Sequence, residues 1–201
     1  MKKFLFLVLA IMLVLPMVVS AAFSDVAEDH WAAGFINELT EQKVINGYTD
    51  GTFRPNGTLT KGEFMKLIMT ASLPELDFSI APKDFNHWAA GYVKVAENYS
   101  VLDVGEITAE NIDLPINRID VIRILSLADI NIRNNMQKFN SMLPFIDTDD
   151  LDSKEMILLG HAVEKGIIGG YPDGTFKPTN NLTRAEVSKI LSIYMQTTDN
   201  Q

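Results

Sequence analysis

The chain reads as a mainly helical fold of three helix-loop-helix repeats, with short irregular or β-like segments in the loops. Three internal matches predict it. Gly47-Tyr48-Thr49-Asp50-Gly51-Thr52-Phe53-Arg54-Pro55 returns as Gly170-Tyr171-Pro172-Asp173-Gly174-Thr175-Phe176-Lys177-Pro178. Leu59-Thr60-Lys61-Gly62-Glu63 returns, at the same spacing from that loop, as Leu182-Thr183-Arg184-Ala185-Glu186. His30-Trp31-Ala32-Ala33-Gly34-Phe35 is echoed by His87-Trp88-Ala89-Ala90-Gly91-Tyr92. A unit of this size seldom buries its own apolar face, so several must pack together.

Residues 1–22 stand apart. Lys2 and Lys3 precede an almost wholly apolar run from Phe4 to Val19, and Ser20-Ala21-Ala22 supplies small residues for cleavage. This is the layout of a secretory signal peptide removed after Ala22. The run approaches the roughly 17 residues of the shortest membrane span. The cleavage-like site beside it favours export and removal over retention as an anchor. The mature protein is therefore expected not to span a membrane.

The 201-residue chain carries a formal charge of -9, and loss of residues 1–22 removes two lysines and no acid. Such acidity argues against nucleic acid as a partner, because a phosphate backbone wants a basic face. There is no cysteine. An exported domain without disulfides must be held by core packing, and this one is long enough to build a core.

The first unit spans residues 23–72. Ala32, Phe35, Ile36 and Leu39 fall at i, i+3, i+4 and i+7 and mark one face of a first helix. Val44 and Ile45 lead into the Asp50-Gly51 turn, where glycine supplies a positive φ and aspartate bonds its own backbone. Thr60 then caps a second helix, with Glu63 completing the T-x-x-E capping box. Phe64, Leu67, Ile68 and Ala71 form its apolar face.

The third unit, residues 145–195, copies the first. Phe145-Ile146-Asp147 echoes Phe23-Ser24-Asp25, Leu158, Leu159 and Ala162 face inward, and Thr183 and Glu186 repeat the cap. Val187, Ile190, Leu191 and Tyr194 form the second face. The middle unit, residues 82–128, is divergent. Asn117 stands at the cap and Asp120 at the Glu63 position, but Val104 to Pro115 replaces the Gly-Tyr loop. The polar tail, 196–201, is expected to fray.

One position carries the chemistry. Lys61, Arg118 and Arg184 each follow a cap. A cation in a helix's first turn opposes the macrodipole at a cost of about 0.3–1 kcal/mol. Screening in solvent would excuse one such residue; three point to a use. A helix N-terminus offers free N–H groups to an anion, and a basic neighbour adds charge. The reading is that small acidic groups lodge beside those open amide ends, in crevices between units. Trp31 and Trp88 can stack on sugar or serve as packing. Tyr48 and Tyr171 suit a crevice wall or plain packing. Gly47 and Gly170 either admit a ligand or, more commonly, satisfy a positive φ.

Catalytic patterns are missing from the sequence. His30, His87 and His161 have no metal-ligand spacing, and neither G-x-S-x-G nor a phosphate loop occurs. No cofactor and no metal site is expected. The acidic run Asp147-Thr148-Asp149-Asp150-Leu151-Asp152 lacks the glycine and terminal glutamate of a calcium loop and reads as a hydrated turn.

Phe-x-Asp, His-Trp-Ala, Gly-Tyr-x-Asp-Gly-Thr-Phe-x-Pro and Thr-Arg-Ala-Glu, in that order, resemble the S-layer homology (SLH) domain. The likeness covers three tandem repeats, the middle one divergent. It implies a pseudo-threefold spindle, each repeat giving one helix to a central three-helix bundle. It also implies that grooves between repeats bind wall polysaccharide, commonly a secondary polymer with ketal-linked pyruvate whose carboxylate meets the motif's basic residue. Carried over by position, the basic contacts are Arg184, Lys61 and Arg118. The other groove residues are Asp25, Trp31, Gly47, Asp84, Trp88 and Gly170. Lys61 keeps the charge without the bidentate fork of arginine. One or two competent grooves are expected rather than three.

The function these readings support is a non-catalytic module that anchors to the cell envelope. It would sit at the cell surface and hold wall polysaccharide or a peptidoglycan-linked polymer. The alternative is an adaptor whose repeats bind another envelope protein. A wall-glycan hydrolase ranks last, because no spaced acid pair is identifiable.

Overall fold

The computed structural model describes residues 23–79, 85–129, 134 and 143–199. The segment read as a signal peptide and the site candidate Asp84 lie outside the described residues. Among the described residues six helices occur: α1 (Ala33–Glu41), α2 (Lys61–Ser72), α3 (Ala90–Asn98), α4 (Arg118–Ala128), α5 (Ser153–Glu164) and α6 (Arg184–Asp199). The β-like elements between them are isolated bridges.

The apolar faces read from the sequence are buried. Ile36 and Leu39 of α1, Phe64 and Ile68 of α2, Val121 and Leu125 of α4, and Val187 and Leu191 of α6 join one continuous core with the loop rings Phe53 and Phe176. Helix partners come from different repeats. α1 packs on α6, α3 on α2 and α5 on α4, with a further contact between α2 and α4. Each first helix thus lies on the second helix of the preceding repeat, and the first repeat lies on the third.

The segments just before the caps explain this interleaving. Leu59 N–H donates to Leu182 O (3.3 Å), Leu182 N–H to Ile116 O (3.3 Å), and Ile116 N–H to Leu59 O (2.9 Å), so one residue from each repeat closes a hydrogen-bonded cycle. The next two amides of each second helix continue outward. Lys61 and Gly62 donate to Leu114 O and Ile112 O, Arg118 and Ile119 to Asn180 O and Pro178 O, and Arg184 and Ala185 to Gly57 O and Pro55 O, all at 2.8–3.0 Å. The third amide in each helix goes to the cap, with Glu63 N–H donating to Thr60, Asp120 N–H to Asn117, and Glu186 N–H to Thr183.

This corrects the reading of open amide ends. The unpaired N–H groups of a helix start must find partners. Here the loop carbonyls of a neighbouring repeat and the cap side chains supply them, so no free amide remains at those first turns to receive an anion.

The acidic run before α5 has two structural duties. Asp147 accepts from the third repeat's loop, and Asp152 forms a capping box with Glu155. At the other end α6 continues to Asp199, beyond the point where fraying was expected. Gln196 donates to Glu38 of α1 (3.1 Å), and Thr197 and Thr198 turn their hydroxyls back to Tyr194 O, which holds the extra turn. Tyr194 itself is buried beside Ser72, and burial pushes its hydroxyl up to about 12.

Because α1 takes its main partner from α6, the repeats should unfold together. Deleting residues 143–201 is expected to abolish the single cooperative thermal transition of the intact protein, leaving a broad, non-cooperative loss of helical circular dichroism. A sharp transition in the truncated protein would contradict this interdependence.

Candidate functional site

The loop of the first repeat is a tight turn with a defined scaffold. Asp50 accepts from Thr52 N–H (3.0 Å) and from the Thr52 hydroxyl (2.6 Å), and Gly51 adopts φ 80°. Arg54 follows at φ 58°, a conformation that costs a non-glycine residue about 1 kcal/mol or more. Asp25 compensates by accepting both Phe53 N–H and Arg54 N–H at 2.7 Å. The third repeat reproduces this with Asp173, Gly174, Lys177 and Asp147. Asp25 therefore shapes the loop from behind and does not line a groove.

Gly47 and Gly170 have a packing reason rather than a positive φ. A Cβ on Gly47 would collide with the edge of the Phe23 ring and lie 2.7 Å from Thr52 O; one on Gly170 would collide with the edge of the Phe145 ring and lie 2.7 Å from Thr175 O. The opposite side of each glycine forms part of a groove wall.

The arginines cross between repeats. Arg184, 6% exposed, donates through Nε to Phe53 O (2.8 Å) and through Nη2 to Asn46 O (3.0 Å). Its guanidinium lies 4.9 Å from the Tyr48 ring centre and 4.6 Å from that of Phe53. Arg118, also 6% exposed, makes the same bonds to Phe176 O (2.8 Å) and Gly169 O (2.6 Å), against Tyr171 and Phe176. Burial pulls the Arg118 guanidinium down from its ordinary value, while Tyr171 and Glu186 act the other way. No carboxylate among the described residues lies within 4 Å of either guanidinium. Their hydrogen bonds go to carbonyl oxygens and their faces to aromatic rings, and Glu186 acts on Arg118 only from beyond ion-pair distance, so neither buried charge has a bonded carboxylate, a state that favours an incoming counter-charge.

Each arginine lines an inter-repeat groove. The first, of about 310 Å³, combines Arg184 of the third repeat, Gly47 and Tyr48 of the first, Glu63 and Lys66 of α2, and Trp88 of the second. The other, of about 290 Å³, combines Arg118 of the second repeat, Gly170 and Tyr171 of the third, Glu186 and Lys189 of α6, and Trp31 of the first. The two match residue for residue, and each draws on all three repeats.

Trp31 and Trp88 are 55% and 57% exposed, so core packing is not their role. The histidine before each holds the turn. His30 Nδ1 accepts from Ala32 N–H (3.2 Å) and His87 Nδ1 from Ala89 N–H (3.1 Å), with the rings beside their tryptophans. Lys66 and Lys189 were missed by sequence reasoning, although both stand six residues after a cap. Lys61 lines neither groove.

The sequence profile of the S-layer homology domain matches residues 22–65 and 161–188, which hold the two Gly-Tyr loops and the starts of α2 and α6. The chain is 25% identical over 172 residues to an amylopullulanase of Thermoanaerobacterium thermosulfurigenes, covering 84% of this chain and 9% of that protein. It is 28% identical over 183 residues to S-layer protein EA1 of Bacillus anthracis, covering 86% and 20%. It is 36% identical over 89 residues to a cellulosome-anchoring protein of Acetivibrio thermocellus, covering 40% and 20%. The chain thus spans a fifth or less of the length of these relatives.

Two predictions follow from the loop scaffold and the crossing arginines. Arg118→Ala should lower unfolding free energy by about 3 kcal/mol, since hydrogen bonds to a charged group contribute roughly 1.5–3 kcal/mol each. Arg118→Lys should recover only part of it, because one ammonium cannot reproduce the fork that reaches both carbonyls; urea denaturation reads both. In acid, burial raises the Asp25 carboxyl, but the Phe53 and Arg54 amides outweigh it and hold it below the usual value of 3.8. The Thr52 hydroxyl first, then Arg54, hold Asp50 down to about 2. Groups with depressed folded values stabilise above the unfolded value and lose that effect as pH falls through the folded one. The thermal-midpoint gap between wild type and Asp25→Asn should therefore be full above about pH 5 and shrink as pH falls through 3.8 and below.

Proposed function

Starting from a chain that belongs to the S-layer homology domain family through its first and third repeats, we propose that it is a non-catalytic anchoring module. It holds to the cell envelope by gripping an acid-bearing wall polysaccharide in its two inter-repeat grooves. The observation that carries this is the pair of buried guanidinium groups without a carboxylate partner, each in a groove that also presents a lysine and an exposed tryptophan. A sugar acid substituent supplies the bonded carboxylate that neither guanidinium has from Glu63 or Glu186 on the same groove walls. The tryptophan face offers an amphipathic platform for a pyranose ring. Arg184, Gly47, Lys66 and Trp88 serve one groove, and Arg118, Gly170, Lys189 and Trp31 the other. The name of the cellulosome-anchoring relative supports anchoring, and that of S-layer protein EA1 supports a surface location.

The arginines make poor first test variants, since each also ties two repeats together. The tryptophans separate binding from folding. Trp31→Ala and Trp88→Ala should each weaken retention on isolated walls roughly five- to tenfold, about 1–1.4 kcal/mol, while the thermal midpoint stays put. Mild acid removal of ketal-linked pyruvate from the walls should lower retention of the wild type, and raised salt should do the same. Equal retention on treated and untreated walls would reject the pyruvate assignment.

A second reading, an adaptor for another envelope protein, draws on the divergent repeat. There a cavity of about 520 Å³, lined by Phe85, Val93, Val104 and Ile107, opens beside an 82% exposed Val104. If that face carries the activity, Val104→Lys abolishes retention and the tryptophan variants leave it intact.

A further inference from the structure

The two grooves follow one recipe: a cation from one repeat, a Gly-Tyr loop and second helix from the next, and an aromatic from the one after. Running the recipe once more specifies a third position. It takes Lys61 from the first repeat, the loop and α4 from the second, and the start of α5 from the third, which packs on α4. Every component there is altered. Lys61 replaces arginine, Val104 to Pro115 replaces the Gly-Tyr loop, and Lys154 stands where the other units have tryptophan.

The lysine that lines each groove is also changed. Lys66 and Lys189 stand six residues after their caps, and the residue six after Asn117 is Arg123. Neither lysine has an ion-pair partner among the described residues, whereas Arg123 is fully engaged. Glu106, from the substituted loop, grips it with both oxygens, Oε1 on Nη2 and Oε2 on Nη1 at 3.2 Å. Asp120 adds a contact at 3.5 Å. Glu106 is itself fixed, since its Oε2 accepts Asp103 N–H (3.2 Å) and its backbone carbonyl accepts from the Asn111 side chain (3.0 Å). The pair is largely enclosed, with Arg123 14% and Glu106 26% exposed.

We infer that Glu106 is a built-in carboxylate that occupies the third inter-repeat position, leaving the chain with two ligand grooves. It stands in for the acid group that an external ligand brings to the others, and it marks Lys66 and Lys189 as the cations that receive that group beside Arg184 and Arg118. A bidentate carboxylate on an enclosed guanidinium excludes competitors of the same chemistry, because an entering anion must displace a group already tethered nearby. The assignment of Lys66 and Lys189 rests on the groove reading above; the closure by Glu106 does not.

The closure is tested with sodium pyruvate as a bare carboxylate probe, following the arginine Nε resonances by NMR. In the wild type Arg123 Nε should stay unmoved through tens of millimolar pyruvate. In Glu106→Ala it should shift with saturation, the apparent affinity rising at least tenfold. Glu106→Gln, which keeps the loop's shape, should behave likewise, and an unchanged helical circular dichroism spectrum verifies the fold. An Arg123 resonance that responds equally in wild type and variants, or in none, overturns the proposal. Valency is read by calorimetry with a monosaccharide bearing a pyruvate ketal. The wild type should bind two per chain, Lys66→Ala and Lys189→Ala one each, and Arg123→Ala still two. Three sites in the wild type, or a site lost with Arg123, also overturns it. Absence of any saccharide binding sinks the groove reading, and the pyruvate titration of Arg123 still decides the role of Glu106.

Discussion

The structure depends on where the first amides of the second helices find their acceptors. A helix leaves its leading N–H groups without intrahelical partners, and a cap side chain satisfies one of them. In α2, α4 and α6 two more are met by carbonyls of a different repeat's loop. Those loops, in turn, are held in shape partly by these bonds. The cycle through Leu59, Ile116 and Leu182 then joins the three starts directly. None of the three repeats can complete its own hydrogen bonding, which is why the helical faces, each too narrow to form a core alone, meet in one continuous cluster.

That constraint also decides what the arginines do. Placed one residue after the cap, Arg118 and Arg184 project beside the loop that supplies the helix's amide acceptors, and their planar forks bind two more carbonyls of it. Their charge does not confront the helix dipole in solvent, as the first-turn position suggests. It is drawn into a shell of carbonyl oxygens and aromatic faces. The same geometry accounts for Lys61. Its loop neighbour is the segment around Ile112 and Leu114, which has no Gly-Tyr turn to present two carbonyls to a fork. The loss of the loop in one repeat and the change of cation in another belong to one place in the fold.

Local chemistry was legible and partnership was not. The capping pairs Thr60–Glu63 and Thr183–Glu186 and the Asp50-Gly51 turn depend on neighbours in sequence, and they were readable directly. So were the apolar faces, which follow from periodicity. Which loop Arg184 reaches, 131 residues away at Phe53, depends on the order in which repeats pack, and no spacing encodes that. The reason for Gly47 lay in Phe23, a ring from the same unit that closes over it. Lys66 and Lys189 carried a usable signal, since aligning the two good repeats shows both at one position. In sequence, a lysine on a helix turn is ordinary until a groove is seen beside it.

Two equivalent grooves on one continuous core have a consequence that a single one lacks. Each takes parts from all three repeats, yet the two share no lining residue. Their near-identity, Arg184 with Lys66 and Trp88 against Arg118 with Lys189 and Trp31, means that both present the same donors to the same class of ligand. Under the proposed function, a polymer that repeats an acid-bearing unit would engage both at once when its span matches their separation. The second contact is then governed by effective concentration rather than by intrinsic affinity, and avidity exceeds either site by about 10²–10⁴. Modest grooves suffice under that arithmetic. On the proposed reading, an anchor of this kind would tolerate a third position held by an internal ion pair, because the step from one contact to two brings most of the gain.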